Sequence, residues 1–511
     1  MANAGIEHLK RKISKNLWEK RQEMSQESMP DPFKPARSIN ISKRAVVIGV
    51  IVVLALFITA YVLTFVLEKG TYQRDPEGSI IPGTYVADPT LDGIAWWQVI
   101  LAPVMILSPT SEGFMTVWAI IILLFIIGAV FTAMDATGIM VYMVEYLNHK
   151  LGHRKYLLMF MLSFAFMFLG SSAGMFEEMI PLVPVVVMLS YAMGWDALVG
   201  LSISVIAACF GFSAGVINPF TVGVAQTIGG LPMYSGIAPR LLTFALAYII
   251  LMAFIYPYAK KIERHPEKSP VYKADLKRKQ DFNFRIDDFT EDKGKNKALV
   301  WFGVWMLIVV GVAISSIVIQ ALADYMMYII LAIYVIAGVG ASVMCGLKGK
   351  ALFKELGKGA LTLLPAVIMI LIAGGVRYIV EEGDIIDTIL FHFINLVGDS
   401  GGFGTTMILY LIIFVFELFI QSGSAKAFLL MPMIFDICTL VSIDPQIAVL
   451  AFVFADGFSN VILPTNAGLL LILGLTTVDY GTWFKWSLKI HLTLFAATIG
   501  VLALSQYVIF A

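Results

Sequence analysis

Between Ala45 and Tyr507 the chain returns repeatedly to apolar runs near 20 residues long, and such runs leave few folds open. At about 1.5 Å per residue, a helix of that length crosses a hydrocarbon core of roughly 30 Å. Lipid offers no water to the backbone, so each run must close its hydrogen bonds within a helix. Hydrophobic residues make up 59% of the sequence and charged residues 14%, against about 45–50% and about 25% in soluble domains. That surplus is too large for a water-exposed surface. The expected class is an all-α polytopic membrane protein, with the lipid bilayer as its first partner. Lys and Arg together number 36, as do Asp and Glu, so net charge draws the chain to no nucleic acid.

The placement of the charges orients the spans. Residues 1–44 carry Lys10, Arg11, Lys12, Lys15, Lys20 and Arg21 before any apolar run. They lack the short basic start and cleavage site of a secretory signal. They read as a cytoplasmic N-terminal arm, and Ala45–Leu67 as a retained first span. The positive-inside bias puts the linker 260–297 and the loop with Lys348, Lys350, Lys354 and Lys358 on the same side. The acidic segment Glu68–Asp92 then lies outside, and Trp96 and Trp97 mark an interfacial helix over Ile94–Leu107. Cys209, Cys345 and Cys438 are scattered in apolar surroundings without metal-ligand spacing, as small buried side chains would be.

Two short apolar runs do not fit as spans. Tyr156–Leu169 is interrupted by Gly170, Ser171, Ser172, Ala173 and Gly174, and Thr406–Ile420 by Gln421, Ser422, Gly423, Ser424 and Ala425. Each reads as one arm of a re-entrant hairpin, about 156–192 and about 404–441. Non-helical backbone at membrane depth survives only inside protein or beside a watery cavity, so both tips should face a site. Pro219 lacks an amide donor and should open the long segment Trp195–Thr227 after Asn218. Gly128, Val130 and Ile139 recur as Gly374, Val376 and Ile385, each 246 positions on, and Gly211, Phe212, Ser213 as Gly457, Phe458, Ser459 at the same separation. An extra span near Ala298–Ile319 turns the second copy upside down. The expected architecture is two inverted repeats, 45–259 and 298–511 with its linking span. Each has a re-entrant hairpin and a broken helix, giving about nine full spans plus two hairpins and a C-terminus outside. Broken helices meeting near the midplane are how many secondary transporters hold ions and substrate.

Hydroxyls, amides and freed carbonyls can replace the water around a sodium ion. The residue types at the tips and breaks therefore nominate Ser171, Ser172, Asn218, Ser422, Ser424, Thr465, Asp456 and Glu178 as ligands of sodium or a proton. For substrate they nominate Ser172, Glu177, Glu178, Asn218, Thr221, Ser424, Lys426, Thr465 and Asn466. A charge at the bilayer centre costs about 2.5–3.5 kcal/mol on insertion scales, so Glu177, Glu178 and Lys426 should face a cavity or one another. Together they suit a zwitterionic amino acid. Small residues that let helices pack closely explain any one cluster well, but explain poorly why all four lie at expected breaks. Glu417 and Asp456 are further acids to test. Arg377, Glu381 and Glu382 lie near a span end, and His392 and His491 near membrane boundaries, where structural roles suffice. No nucleophile elbow, phosphate loop or metalloprotease helix is present, so the chain reads as no enzyme, needs no organic cofactor, and must draw on a gradient or an exchanged solute.

At these residues the sequence resembles the YfcC-like family, grouped with anaerobic C4-dicarboxylate carriers and arginine/ornithine antiporters in the ion transporter superfamily. The resemblance runs from about Ala45 onward. It is carried by Gly174, Met175, Phe176, Glu177, Glu178; by Asn218, Pro219, Phe220, Thr221 with Ala225 and Gln226; and by Gly230, Leu231, Pro232 with Ser235 and Gly236. In the second half it is carried by Ser422, Gly423, Ser424, Ala425, by Asp456, Gly457, Phe458, Ser459, Asn460, and by Pro464 and Thr465. The resemblance implies a bacterial cytoplasmic (inner) membrane protein, a homodimer, moving a small-molecule substrate by an elevator-type motion. The leading expectation is an amino-acid carrier of arginine/ornithine type, working by exchange or by sodium or proton coupling. The competing readings are a carrier of C4-dicarboxylates or other organic anions, and a membrane receptor or assembly factor without flux.

Overall fold

The computed structural model describes residues 43–74, 81, 83–88, 90, 93–109, 114–282, 289–316, 319–397 and 402–510, so the basic arm lies almost wholly outside the described residues. After α1 (Lys43–Val66), a two-stranded antiparallel hairpin, β1 (Gly70–Thr71) and β2 (Val86–Ala87), leads to α2 (Trp96–Met105), whose two tryptophans are exposed. Then come α3 (Phe114–Ala136), α4 (Ile139–Leu151), α5 (Lys155–Ala173) and α6 (Val183–Ala192). Ala197–Leu201, a π-helical turn Ser202–Ile206 and Ala207–Ala214 run on as one helix, α7. Past a break, Pro219–Gly223 and Val224–Ile228 form α8. The first half closes with α9 (Ile237–Arg264). Next are α10 (Tyr272–Phe282), α11 (Lys293–Ser316), α12 (Gln320–Met344), α13 (Gly349–Thr362), α14 (Leu364–Glu382) and α15 (Ile386–Val397). The chain ends with α16 (Phe403–Phe416), α17 (Gly423–Leu440), α18 (Pro445–Ser459), α19 (Ala467–Gly474) and α20 (Tyr480–Leu504).

By length and composition, five helices among the described residues can cross a membrane, or six if α3 and α4, bent by 74°, count as one. Two of the five are Gly152–Ala173 and Gly423–Leu440, segments that the sequence assigns to hairpin arms. The first is longer than expected because helix does not stop at Gly170. Ser172 Oγ donates back to the Phe168 carbonyl at 2.6 Å, and the turn comes only at Gly174, whose φ of 63° favours glycine. The chain then doubles back through Glu177–Leu182 and α6, and Lys155 Nζ donates to the Met193 carbonyl at 3.2 Å, so the two ends of the excursion meet.

Two groups of helices pack closely, joined to each other where α14 meets α19 and α11 meets α5. In one, α1 and α2 lie on α14, while α12 and α13 lie on α3 and α11 lies on α12. In the other, α5 crosses α7, α7 crosses both α18 and α9, and α16 crosses α18. Small residues sit where backbones touch. A Cβ on Gly211 would stand 1.9 Å from the Met167 carbonyl oxygen, and one on Gly170 would stand 2.1 Å from that of Ala208. Gly128 and Gly359 meet in the same way across α3 and α13. Close packing of small residues, without a hydrophobic drive between helices in lipid, therefore explains these glycines.

Segments outside the apolar runs are docked rather than free. Asp387, in the first turn of α15, accepts from Tyr72 N and Arg74 Nη2, each at 2.9 Å, and Tyr85 stacks on Phe391 at 4.0 Å. The charged stretch 260–297 is helical at both ends and carries α10 in its middle. From α10, Asp275 accepts from Tyr191 Oη and Ala197 N at 2.8 Å each and from the Thr477 hydroxyl, so one carboxylate ties α10 to both halves. Burial pushes this carboxyl up from 3.8 to about 6, against the pull of its three donors.

Candidate functional site

The turn at Gly174 is laid directly on the first helix break. Gly215, with φ 48°, ends α7, and the amide of Val216 donates to Ser171 Oγ at 3.0 Å while that of Ile217 donates to the Ser171 carbonyl at 3.3 Å. Asn218 then starts α8 as its N-cap, its Oδ1 accepting from Phe220 N at 2.9 Å. A Cβ on Gly174 would lie 2.6 Å from that same Oδ1. Pro219 follows at the first helical position, where its missing donor costs nothing, so the opening falls just before the proline.

The second half has a turn and a break of its own, with different chemistry. α16 ends at Phe416, and Ser422 starts α17, its Oγ accepting from Ala425 N at 3.4 Å. Four residues later Lys426, fully buried, makes ion pairs with both Glu417 and Asp456 and lies 5.8 Å from the centre of the Phe452 ring. α18 gives way at Asn460, and Asn466 caps α19, with Oδ1 accepting from Leu469 N at 2.9 Å and Nδ2 donating to Asn460 Oδ1 at 2.7 Å.

All four pieces meet. A Cβ on Gly423 would stand 2.9 Å from Thr221 and 3.0 Å from Asp456 Oδ2, so the start of α17 touches both α8 and α18. Phe176, past the first turn, lies against Gly468 of α19, and Gly457 lies against the Ser213 amide. Glu177, half-buried, opens the turn Glu177–Leu182 that follows Phe176. Several buried polar atoms at this junction have no protein partner: Ser213 Oγ, Asn218 Nδ2, Thr221 Oγ1, Glu417 Oε1, Asp456 Oδ2 and Thr465 Oγ1. Such orphaned groups are costly away from water and rare in native interiors. Among the described residues no group of His, Cys, Asp and Glu could hold a metal ion by their own side chains.

The nominated residues fare differently. Asn218, Thr221, Asp456, Thr465 and Lys426 are buried at the junction, with Asn466 capping the helix beside them. Ser171 and Ser172 are buried but bonded to backbone, Ser422 is an exposed cap, Ser424 is half-buried, and the side chain of Glu178 lies outside the described residues. The acids paired with Lys426 are Glu417 and Asp456, not Glu177, because the first turn of α17 faces the end of α16 and the side of α18.

A family model described as C4-dicarboxylate anaerobic carrier matches residues 43–507, and with them every part of this junction. The chain belongs to that family. It is 28% identical over 332 residues to the Escherichia coli protein named "Putative basic amino acid antiporter YfcC", covering 62% of this chain and 63% of that relative, so less than two thirds of the relative is matched. A Haemophilus influenzae protein of uncharacterized role is 27% identical over 382 residues, 73% of either chain. Among solved structures, the YdaH transporter of Alcanivorax borkumensis covers 90% of this chain and 97% of its own at a TM-score of 0.42 and 15% identity. MtrF of Neisseria gonorrhoeae, titled as one of a class of antimetabolite efflux pumps, covers 91% and 95% at 0.41 and 17%.

In this family member, sequence reasoning left out Glu417 as a ligand and passed over Ser213 and Asn460. Glu417 carried a usable signal, a lone acid nine residues before a lone base across a predicted tip. His491 departs from its expected place near a boundary. It is fully buried along α20 between Phe210 and Phe458, with Nδ1 2.8 Å from the Ser487 carbonyl.

Proposed function

We propose that the protein is a secondary active transporter of basic amino acids, of arginine or ornithine type, with the junction of the two turns and two breaks as its binding site. The observation that carries this reading is the charge there. Lys426 faces Glu417 and Asp456, so two carboxyl groups face one ammonium. Two like charges about 4 Å apart repel by about 4 kcal/mol at an effective dielectric constant near 20. A dicarboxylate dianion is thus disfavoured, and a guanidinium or ammonium is drawn in. The substrate carboxylate would meet Lys426 or the amides of the caps, and the open oxygens of Thr221, Thr465 and Asp456 suit a sodium ion or a proton. The name of the Escherichia coli relative, a basic amino acid antiporter, agrees with this choice.

On this reading α3, α5, α7 and α9 correspond to α14, α16, α18 and α20 in an inverted repeat, and the two turns are re-entrant hairpins among about nine spans. The recurrence of Gly128 as Gly374 and of Gly211 as Gly457, each at a helix contact, supports it. The group of α5–α9 with α16–α20 would carry the substrate past the other by an elevator-type motion, in a homodimer in the bacterial cytoplasmic membrane, with exchange or ion coupling as the drive. Purified protein in liposomes tests it. Saturable uptake of radiolabelled arginine, enhanced by internal ornithine or by a sodium or proton gradient, is expected. The family description favours a second reading, C4-dicarboxylate transport, with Lys426 as anion partner. Saturable succinate uptake without arginine uptake would establish that reading and overturn the first.

A further inference from the structure

Arg240 stands in the first turn of α9, at the end of the chain where the loop 229–236 is expected outside, and its side chain is fully buried. Its Nη2 donates to the carbonyls of Tyr234 at 2.8 Å and Ser235 at 2.9 Å, while Nε and Nη1 have no partner. Two of the five N–H donors of a guanidinium are thus used and three stay open. Among the described residues Arg240 makes no ion pair, and the hydrogen-bond partners of its guanidinium are the two backbone carbonyls. A buried cation without an anion is among the costliest arrangements in a protein.

The surroundings are built to hold it so. Gln226 Nε2 donates to the Ser235 carbonyl at 2.9 Å and to Gln446 Oε1 at 3.2 Å, Gln446 Nε2 donates to Ser235 Oγ at 2.6 Å, and Tyr234 N donates to Gln226 Oε1 at 2.6 Å. Both glutamines are buried, and they join α8 and α18 to the loop over Arg240. That loop keeps Tyr234 at φ 56°, a strained conformation for a tyrosine, and Gly236 so close to Gln446 that a Cβ would stand 2.8 Å from its oxygen. Ser235 and Gly236 belong to a motif that the Lys426 junction does not use, and Gln226 makes its hydrogen bonds here and not at that junction.

We propose that Arg240 anchors a second binding site, separate from the Lys426 junction, that takes a carboxylate group. One fixed positive charge ringed by neutral amides matches a monoanion. Three open, directed N–H donors match the lone pairs of carboxylate oxygens better than they match a halide. The site would meet the carboxylate of a solute at the face of the protein opposite the α10 clamp. Thermal unfolding of the full-length protein tests this with sodium acetate, sodium chloride at equal concentration, and acetamide as the neutral isostere. Acetate should raise the unfolding temperature by several degrees more than chloride, as a saturable binder of the folded state does, and acetamide should not. The gain should vanish in Arg240→Gln and survive in Glu177→Gln. Equal gains from chloride and acetate would overturn the carboxylate assignment. No acetate gain, or a gain that persists in Arg240→Gln, would overturn the site itself. Should Arg240→Gln fail to fold, Arg240→Lys keeps the charge with fewer donors. At least a tenfold weaker acetate response is expected there, and an unchanged one refutes the proposal.

Discussion

Lys426 has no solvent exposure, and its two acids explain how a charge there is tolerated. Removing one partner of a buried pair costs about 3–5 kcal/mol, because the other charge is left behind. Lys426→Met should therefore unfold at markedly lower temperature, and adding Glu417→Gln should recover part of the loss. A double variant no more stable than the single one would show that the pair is not what stabilises the turn. Asp275 makes a different prediction, in pH. Its folded value is raised above that of the unfolded chain, so its contribution to stability is complete below about 4 and is lost as pH rises through about 6. The shift from 3.8 to about 6 corresponds to roughly 3 kcal/mol. In Asp275→Asn the fall in unfolding temperature over that window should flatten relative to the unchanged protein, and equal slopes would refute this. Arg240 was legible in principle. An arginine in the first turn of an apolar run, on the side opposite the basic loops, runs against the positive-inside bias.

At the scale of elements, runs of apolar residues located most helices to within a few positions, and Pro219 located the first break almost to the residue. What they missed was how far α5 continues. Gly170, Ser171, Ser172 and Ala173 look like an interruption in a list of residues, yet they stay helical because α7 needs a surface without side chains to cross. Gly211→Leu should thus be far worse than an equal change on a lipid-facing position. Overpacking of this kind costs about 1–3 kcal/mol, and here the obstacle is the Met167 backbone, which has little room to move. A lowered unfolding temperature for Gly211→Leu beside an unchanged one for Gly303→Leu, where nothing stands within 4 Å of the added carbon, is the expected result.

For the whole molecule, the proposed motion of one helix group past the other can be tested where the two meet. α14 touches α19 across the boundary. In a chain cleared of Cys209, Cys345 and Cys438, a disulfide engineered between α14 and α19 should stop transport yet leave the thermal shift caused by substrate intact. Transport at the unlinked rate would refute relative motion of the two groups. By itself the sequence determined the membrane class, the family motifs and the break at Pro219, since span length, charge bias and proline act along the chain within a few residues. Only the tertiary structure decided which acids pair with Lys426, and that Gln226 and Gln446, 220 positions apart, bond to each other and to the loop that holds Arg240. Those outcomes depend on distances between helices remote in sequence. A buried charge selects its partner by geometry, which residue type and spacing do not encode.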